Sequence, residues 1–234
     1  ISAMKIWRGI AAAALLMYGG SVYAGLISYQ SGGVDLVYDD DYTPVGASNP
    51  GLTWTADANL AATNAFGVTG INANGTMTWD QALDWILGMN DANYGGANDW
   101  RLWSALNSDG TGPCGPGFSC DDSELGHLYY IEGSDRTGDP ITSSQALSDV
   151  FTNLQNAVYW SGTASPSGAN AAWDFNASNG RQRSDVVDPS NHVWAVRPGK
   201  IQAAPGPGTA VLMALGLVGL GAHRLRRQGA STHS

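Results

Sequence analysis

Three consecutive carboxylates form the strongest candidate for a metal site in this sequence. Asp39, Asp40 and Asp41 follow the alternating apolar residues of "GGVDLVY". Calcium takes six to eight hard oxygen ligands, and adjacent carboxylates at a strand end can supply two or three of them. The run does not match the EF-hand spacing, so a solvated acidic turn remains the alternative. No other cofactor is predicted.

A second pair of ligand types is Glu124 and His127, in "SELGHLYY". Their spacing of three residues places a carboxylate and an imidazole on one helical face. A metal site of this kind needs partner ligands from other helices, and the sequence identifies none. The simpler interpretation is a polar helix face, with His127 hydrogen-bonded near the core.

Aromatic side chains give the most direct argument for binding. The chain has 9 Trp and 9 Tyr, many beside Gly, Ser, Asn or Asp. A flat ring flanked by short polar groups suits a sugar, which offers an apolar face and hydroxyl edges. Tyr94 and Trp103 fall in predicted loops and are the expected glycan-binding rings. Arg181 and Arg183, beside a predicted turn, are the candidate contacts for anionic groups on that glycan.

The sequence gives no sign of a catalytic nucleophile. Ser161, in "YWSGT", lacks the Gly-x-Ser-x-Gly elbow, and no serine has an identifiable base. A glycosidase-like pair among the 20 acidic residues depends on separation in space, so a hydrolase stays open as an alternative.

The two cysteines, Cys114 and Cys120, lie in "GPCGPGFSCDD". Their spacing closes a short Gly/Pro loop, and an exported chain reaches an oxidising compartment where such a pair joins. A metal site would need further ligands, and only His127 is near in sequence. The sequence therefore predicts a disulfide that shapes a local loop.

Periodicity predicts the elements that position these residues. Strands are predicted in "GGVDLVYDDD", "VYWSGT", "AAWDFNASNGRQRSDV" and "HVWAVRPG", with Asn179-Gly180 as a hairpin turn. The best helix is "TMTWDQALDWILGMN", where Thr78 and Gln81 fit a capping box. Further helices are predicted in "LTWTADANLAATNAF" and "DDSELGHLYYIE", and a strand or tight corner in "YGGANDWRL". Helices that precede hairpin strands, without a strand-helix-strand repeat, predict an α+β fold with a mostly antiparallel sheet.

Both ends of the chain look like sorting segments. Residues 1–24 are predicted to be a signal peptide, with Lys5 and Arg8 before a short apolar core and residues 1–3 as an upstream extension. Residues 25–204 have the size of one domain. Residues 205–234 form a tail with an apolar helix predicted over 208–222. Its basic end, with Arg224, Arg226 and Arg227, is expected to stay cytoplasmic during transient membrane association.

The charge of the predicted domain is strongly acidic. All 20 acidic residues of the chain lie within residues 25–204, but only six basic residues do, so the net charge of this part is about −14. Phosphate backbones require basic contacts, so nucleic-acid binding is the least expected function.

The tail resembles the PEP-CTERM sorting signal of Gram-negative bacteria that secrete exopolysaccharide. The resemblance rests on Pro205, Pro207, the Gly-rich apolar stretch and the terminal arginines. Gly206 stands where the pattern has an acidic residue. The resemblance implies processing by signal peptidase and exosortase, and release to the envelope, the outer surface or the extracellular matrix.

The domain itself resembles the Lcl C-terminal domain family, named after a bacterial collagen-like adhesin. The segments "LTWTADAN", "MTWDQALDWI", "YGGANDWRL", "SELGHLYY", "VYWSGT", "AWDFNASNG" and "WAVRPG" occur in the family's order. This resemblance implies a compact fold similar to C-type lectins and formylglycine-generating enzymes, and an association with sulfated glycans. Together these features predict an exported, non-enzymatic protein that binds or organises extracellular polysaccharide. The alternatives are a polysaccharide hydrolase and a structural matrix protein without a specific ligand.

Overall fold

The computed structural model describes residues 25–44, 46–168 and 170–202. These residues form two antiparallel sheets, one of five strands and one of three, and the helices lie in the segments that connect the strands. The predicted α+β fold with an antiparallel sheet is confirmed. The predicted signal peptide and tail lie outside the described residues, including Pro205, Pro207, Arg224, Arg226 and Arg227. Among the described residues, none of the helices has the length and apolar character needed to cross a membrane.

The larger sheet has the strand order β1-β2-β3-β8-β4. Its strands are β1 (Leu26–Ser31), β2 (Val34–Asp39), β3 (Leu52–Thr55), β4 (Arg101–Leu102) and β8 (Ala195–Pro198). The sequence pattern predicted β2 and β8 but not β1, which pairs with β2 through the register Ser31↔Val34. Gly32 and Gly33 make the two-residue turn with φ of 57° and 80°, the positive φ values that a tight hairpin requires.

The smaller sheet is an antiparallel meander of β5 (Val158–Ala164), β6 (Ala171–Asn176) and β7 (Arg181–Val186). The pair Asn176↔Arg181 closes the second hairpin, and Asn179-Gly180 lies in its turn. The hairpin that the sequence predicted is therefore confirmed.

Helix α1 spans Trp79–Asp91 and begins where the sequence predicted. The Thr78 hydroxyl accepts a hydrogen bond from the Gln81 backbone N–H, and the Gln81 side chain accepts one from the Thr78 N–H. This reciprocal pair satisfies N–H groups that a helix start leaves without partners. The inner face of the helix buries Ala82, Trp85, Ile86 and Met89.

Two other helix predictions were only partly right. In "LTWTADANLAATNAF" the first residues form β3, and only a 3-10 turn at Leu60–Ala62 is helical. In "DDSELGHLYYIE" a short helix α2 (Glu124–His127) continues into a π-helical turn over Leu128–Glu132. A third α-helix, α3, spans Gln145–Ser148, and further 3-10 turns lie at Tyr94–Gly96 and Ile141–Ser143.

Tryptophan and other aromatic rings fill the interior. Trp194 packs edge-to-face against Trp54 and Phe151, with ring centroids 5.2 and 4.9 Å apart. Trp54, Trp85, Trp103, Trp160 and Trp194 are all fully buried. All five rings therefore belong to the core. Trp79 is only half-buried, and its indole N–H donates to the Ser161 carbonyl at 2.8 Å.

Candidate functional site

A groove of about 750 Å³ lies beside the β1-β2 hairpin. Its walls come from both hairpin strands, the segment after β3, the 3-10 turn at Leu60 and the loop that carries Tyr94. Leu36, Leu60 and Val150 supply apolar surface. The polar lining consists of Tyr29, Gln30, Asp35, Asp57 and Tyr94, with Ser28 and Thr152.

The Tyr94 ring is held by its neighbours. It packs edge-to-face against Phe66 and Trp100, with centroids 5.5 and 6.1 Å apart, and the Trp100 indole N–H donates to the Tyr94 carbonyl at 2.9 Å. Asn93 and Gly95 on either side have φ of 50° and 65°. The Tyr94 hydroxyl makes no hydrogen bond with any described residue. A fixed ring with a free hydroxyl is well placed to bind a ligand.

The hairpin turn and the Tyr94 loop fit closely together. A Cβ added at Gly32 would lie 2.7 Å from the backbone carbonyl carbon of Gly95. Only glycine at position 32 permits this approach, which sets the distance between two walls of the groove.

Two carboxylates and an amide face the same groove. The Gln30 amide donates to Asp35 Oδ1 at 2.8 Å, and Asp57 Oδ1 accepts from the Asn59 backbone N–H at 2.8 Å. Burial raises the pKa of the Tyr94 hydroxyl, and the charges of Asp57 and Asp35 raise it further. Tyr94 therefore stays protonated at neutral pH and can donate a hydrogen bond.

The four predicted glycan-binding residues do not form one site. Tyr94 lines the groove, but Trp103 is fully buried and packs edge-to-face against Phe175 at 6.2 Å. The expectation that Trp103 is an exposed loop residue was therefore wrong, because the core takes up its whole ring. Arg181 and Arg183 lie on β7, in the other sheet.

The two arginines differ in their surroundings. The Arg183 Nε bonds the buried carboxylate of Asp174 at 3.0 Å, and its Nη2 lies 3.2 Å from Asp185. Because these ion pairs engage its guanidinium, Arg183 is a poor candidate for a glycan contact. Arg181 is exposed at the start of the strand, away from the residues that line the groove.

The predicted acidic run does not converge on one ion. Asp40 and Asp41 are exposed, whereas Asp39 is fully buried. Asp39 Oδ1 accepts hydrogen bonds from the backbone N–H groups of Asp41 and Tyr42, both at 3.2 Å. Its carboxylate instead belongs to a cluster with His127 and Glu132, whose ligand atoms lie within 4.8 Å of one another. The three carboxylates of the predicted calcium site are thus in different environments.

The π-helical turn explains how Glu132 joins His127. In an α-helix, residues five apart lie on nearly opposite sides, whereas a π-helix brings i and i+5 together. The Gly133 N–H donates to the Leu128 carbonyl at 2.9 Å, an i to i+5 bond. His127 Nε2 consequently lies 3.5 Å from Glu132 Oε1. The sequence pattern predicted an ordinary helix, in which Glu132 would not lie beside His127.

The cluster shifts the ionisation of its members. Burial raises the pKa of Asp39 to about 7, with His127 lowering it and Glu132 raising it. Burial alone would lower the pKa of His127, but Glu132 and Asp39 outweigh this effect and raise it. Asp39 and His127 therefore influence each other's protonation.

Glu124 does not share a site with His127. It is almost fully buried and forms a bidentate ion pair with Arg101, with N–O distances of 2.6 and 2.5 Å. Its Oε2 also accepts from the Ser104 N–H at 2.7 Å. Glu124 therefore joins α2 to β4, and its pairing with His127 as metal ligands is not formed.

The predicted disulfide between Cys114 and Cys120 is confirmed. Its loop lies on β7, because Gly117 and Gln182 exchange backbone hydrogen bonds at 2.9 and 2.8 Å. The Gln182 side chain also donates to the Cys114 carbonyl at 3.3 Å. The bridge therefore shapes a loop that covers the smaller sheet.

In comparisons with known proteins, no family model matches this chain, and no curated protein sequence matches it.

Proposed function

We propose that this chain is an exported bacterial surface or matrix protein whose domain binds extracellular polysaccharide without catalysis. The observation that carries this proposal is the groove, where the Tyr94 ring and free hydroxyl stand beside Asp35, Asp57 and Gln30 over an apolar surface. Its volume of about 750 Å³ is within the usual range for small-ligand sites.

The groove suits the two surfaces of a sugar. An aromatic ring and the nearby apolar side chains can pack against the C–H face of a pyranose. Carboxylate and amide oxygens accept hydrogen bonds from sugar hydroxyls, and the Gln30 amide and Tyr94 hydroxyl can donate. These donors and acceptors fix the orientation of the sugar, while the apolar contact provides most of the affinity.

The charge of the groove favours neutral glycans or amino sugars. Asp35 and Asp57 place two carboxylates among its lining residues, and the domain has a net charge of about −14. An acidic or sulfated glycan would be repelled by this field. Arg183, which could have countered that repulsion, is paired with Asp174 and Asp185.

The two ends of the chain support the export part of the proposal. The likeness of the ends to a signal peptide and a PEP-CTERM tail supports export and release by signal peptidase and exosortase. The likeness of the domain to the Lcl C-terminal family supports a lectin-like role at the surface of a Gram-negative bacterium. The intact mass of the exported protein tests whether cleavage occurs despite Gly206.

Affinity electrophoresis of the full-length chain tests the binding proposal. Gels would contain neutral polysaccharides (dextran, galactomannan or soluble xylan) or acidic ones (alginate or dextran sulfate). We expect at least one neutral polysaccharide to retard the protein and the acidic ones to have no effect. Parallel assays for new reducing ends test the hydrolase alternative, since Asp35 and Asp57 line the same groove.

Two variants locate the binding site. Asp57→Asn removes a charge from the groove but keeps an oxygen that can accept from the Asn59 N–H, and we expect it to weaken retardation. Arg181→Ala, on the other sheet, is the matched control and should behave as wild type. If Arg181→Ala abolishes retardation and Asp57→Asn does not change it, the glycan binds outside the groove. No retardation by any polysaccharide would favour the structural matrix protein.

A further inference from the structure

The Asp39 cluster lies where the start of β1, the end of β2 and the π-helical turn meet. Asp39 is fully buried and Glu132 is 8% exposed. Asp39 Oδ2, Glu132 Oε2 and His127 Nε2 are all buried and have no hydrogen-bond partner among the described residues. Two unpartnered carboxylate oxygens, beside an imidazole nitrogen that lies 3.5 Å from Glu132 Oε1, suit a bound cation.

A bound cation would also balance the charge of the cluster when both carboxylates are ionised. Among the described residues, His127 is the only cationic group within 4.0 Å of either the Asp39 or the Glu132 carboxylate. Even with His127 protonated, two ionised carboxylates would leave a net negative charge in the interior. An uncompensated buried charge is strongly destabilising.

We propose that Asp39, His127 and Glu132 bind a divalent first-row transition-metal ion such as Zn²⁺. The donor set is one imidazole nitrogen and two carboxylate oxygens, which suits zinc and its neighbours in the first transition row. Calcium takes oxygen ligands only, so the imidazole argues against it. This site is separate from the groove and does not rest on the proposed glycan binding.

The distances fit such an ion. His127 Nε2 and Glu132 Oε1 are 3.5 Å apart. Two ligands of a tetrahedral zinc ion at its usual bond lengths are about 3.4 Å apart. All three ligand atoms lie within 4.8 Å of one another, so small side-chain movements complete the coordination.

The surroundings orient the ligands and leave room for the ion. Two backbone N–H groups hold Asp39 Oδ1, which leaves Oδ2 for the metal. A Cβ at Gly25 would lie 2.6 Å from Glu132 Oε1 and 2.8 Å from Asp41 Oδ2, so glycine keeps this space open. Because Asp41 Oδ2 and Glu132 Oε1 both lie close to that position, exposed Asp41 is a candidate for a fourth ligand on the side open to solvent.

Zinc titration of the full-length chain, purified without a histidine tag in mild detergent, tests the proposal. His223 and His233 lie outside the described residues, so both are changed to Gln in every sample to remove their binding. After chelator treatment, competition with a chromophoric chelator at pH 7.5 should show one Zn²⁺ per chain. Zn²⁺ should also raise the melting temperature, because it would tie β1, β2 and the π-helical turn together.

Single variants assign the ligands. Asp39→Asn, His127→Gln and Glu132→Gln should each weaken Zn²⁺ binding at least about tenfold, the scale on which metal-site substitutions act. Asp40→Asn, an exposed neighbour, is the matched control and should bind as before. Excess Ca²⁺ should not compete with Zn²⁺.

Co²⁺ absorption tests the site without changing any ligand, so it does not depend on whether the ligand variants fold. Co²⁺ added to the chain with intact Asp39, His127 and Glu132 should give visible absorption bands that one equivalent of Zn²⁺ removes. If Co²⁺ gives no such bands and Zn²⁺ does not bind saturably, the cluster does not hold a metal ion and the proposal is wrong. Equal Zn²⁺ affinity in a folded Asp39→Asn variant would also overturn it.

Discussion

At the scale of single residues, the Tyr94 hydroxyl is the polar group of the proposed glycan site whose contribution is easiest to isolate. Tyr94→Phe keeps the ring against Phe66 and Trp100 but removes the free hydroxyl. We expect glycan affinity to fall roughly two- to tenfold, which corresponds to one hydrogen bond. Tyr130→Phe is a matched control, because its hydroxyl bonds the Gly180 carbonyl near the smaller sheet. Unchanged affinity in Tyr94→Phe would show that the hydroxyl does not contact the sugar.

Asp135 gives a pH prediction at the same scale. Burial raises its pKa to about 6, and the charge of Asp139 contributes to this rise. A hydrogen bond from Ser143 opposes it. Because the pKa in the folded state exceeds that of the unfolded chain, its stabilising contribution is complete below about pH 4. This contribution is lost as pH rises through 6.

Asp135→Asn should therefore remove part of this pH dependence. Between pH 4 and 7, the wild-type free energy of unfolding should fall by roughly 1 kcal/mol more than that of the variant. Urea unfolding at several pH values measures the difference, and Asp188→Asn, an exposed control, should follow the wild-type curve. Parallel curves for wild type and Asp135→Asn would contradict the assignment.

At the scale of elements, the ion pair between Arg101 and Glu124 fastens α2 to β4. Glu124→Gln removes the buried charge and leaves Arg101, whose side chain is 36% exposed, without its partner. We expect a loss of about 2–3 kcal/mol in the free energy of unfolding, less than for a fully buried pair. Asp185→Asn breaks the more exposed contact with Arg183 and should cost less than about 1 kcal/mol. Similar losses of stability in the two variants would mean that the pair between Arg101 and Glu124 contributes no more than an exposed ion pair.

The disulfide loop gives a second prediction for elements. Replacing Cys114 and Cys120 together by Ser opens a short loop, so the entropy model gives a loss of about 2 kcal/mol. The domain should stay folded, because Gly117 and Gln182 still join the loop to β7. Circular dichroism and urea unfolding of the variant measure both quantities. Complete unfolding of the variant would show that the bridge holds the fold.

Local patterns predicted the elements that local chemistry determines. The Thr78 and Gln81 capping box, the Asn179-Gly180 turn and the Cys114–Cys120 bridge were all readable from short segments. The π-helical turn could not be read from a 3.6-residue period, so Glu132 was missed. Trp103 was misjudged because a loop-like segment gives no information about which side of it faces Phe175.

The groove illustrates the same limit. Its lining comes from segments as far apart as Ser28 and Thr152, and only folding brings these segments together. Tyr94 was found because its neighbours were short and polar. Strand β1, which carries Tyr29 and Gln30, had one local signal, the Gly32-Gly33 turn before β2. That turn could have indicated a hairpin and an additional strand.

At the scale of the whole molecule, the acidic charge favours the proposed binding of neutral polysaccharide over that of acidic polysaccharide. The net charge of about −14 over residues 25–204 keeps such a domain soluble and repels acidic polymers. The proposed metal cluster and the disulfide loop reinforce different parts of the fold. Neither contributes a residue to the groove lining.

Calorimetric titration of the full-length chain with a neutral oligosaccharide, in parallel with Tyr94→Ala, tests the central claim most directly. The oligosaccharide is taken from whichever neutral polysaccharide retards the protein most. We expect saturable binding to wild type at one site per chain, and affinity at least about tenfold lower in Tyr94→Ala, because the ring contact is lost. Equal affinity in wild type and a folded Tyr94→Ala variant would contradict the claim that the groove binds the glycan.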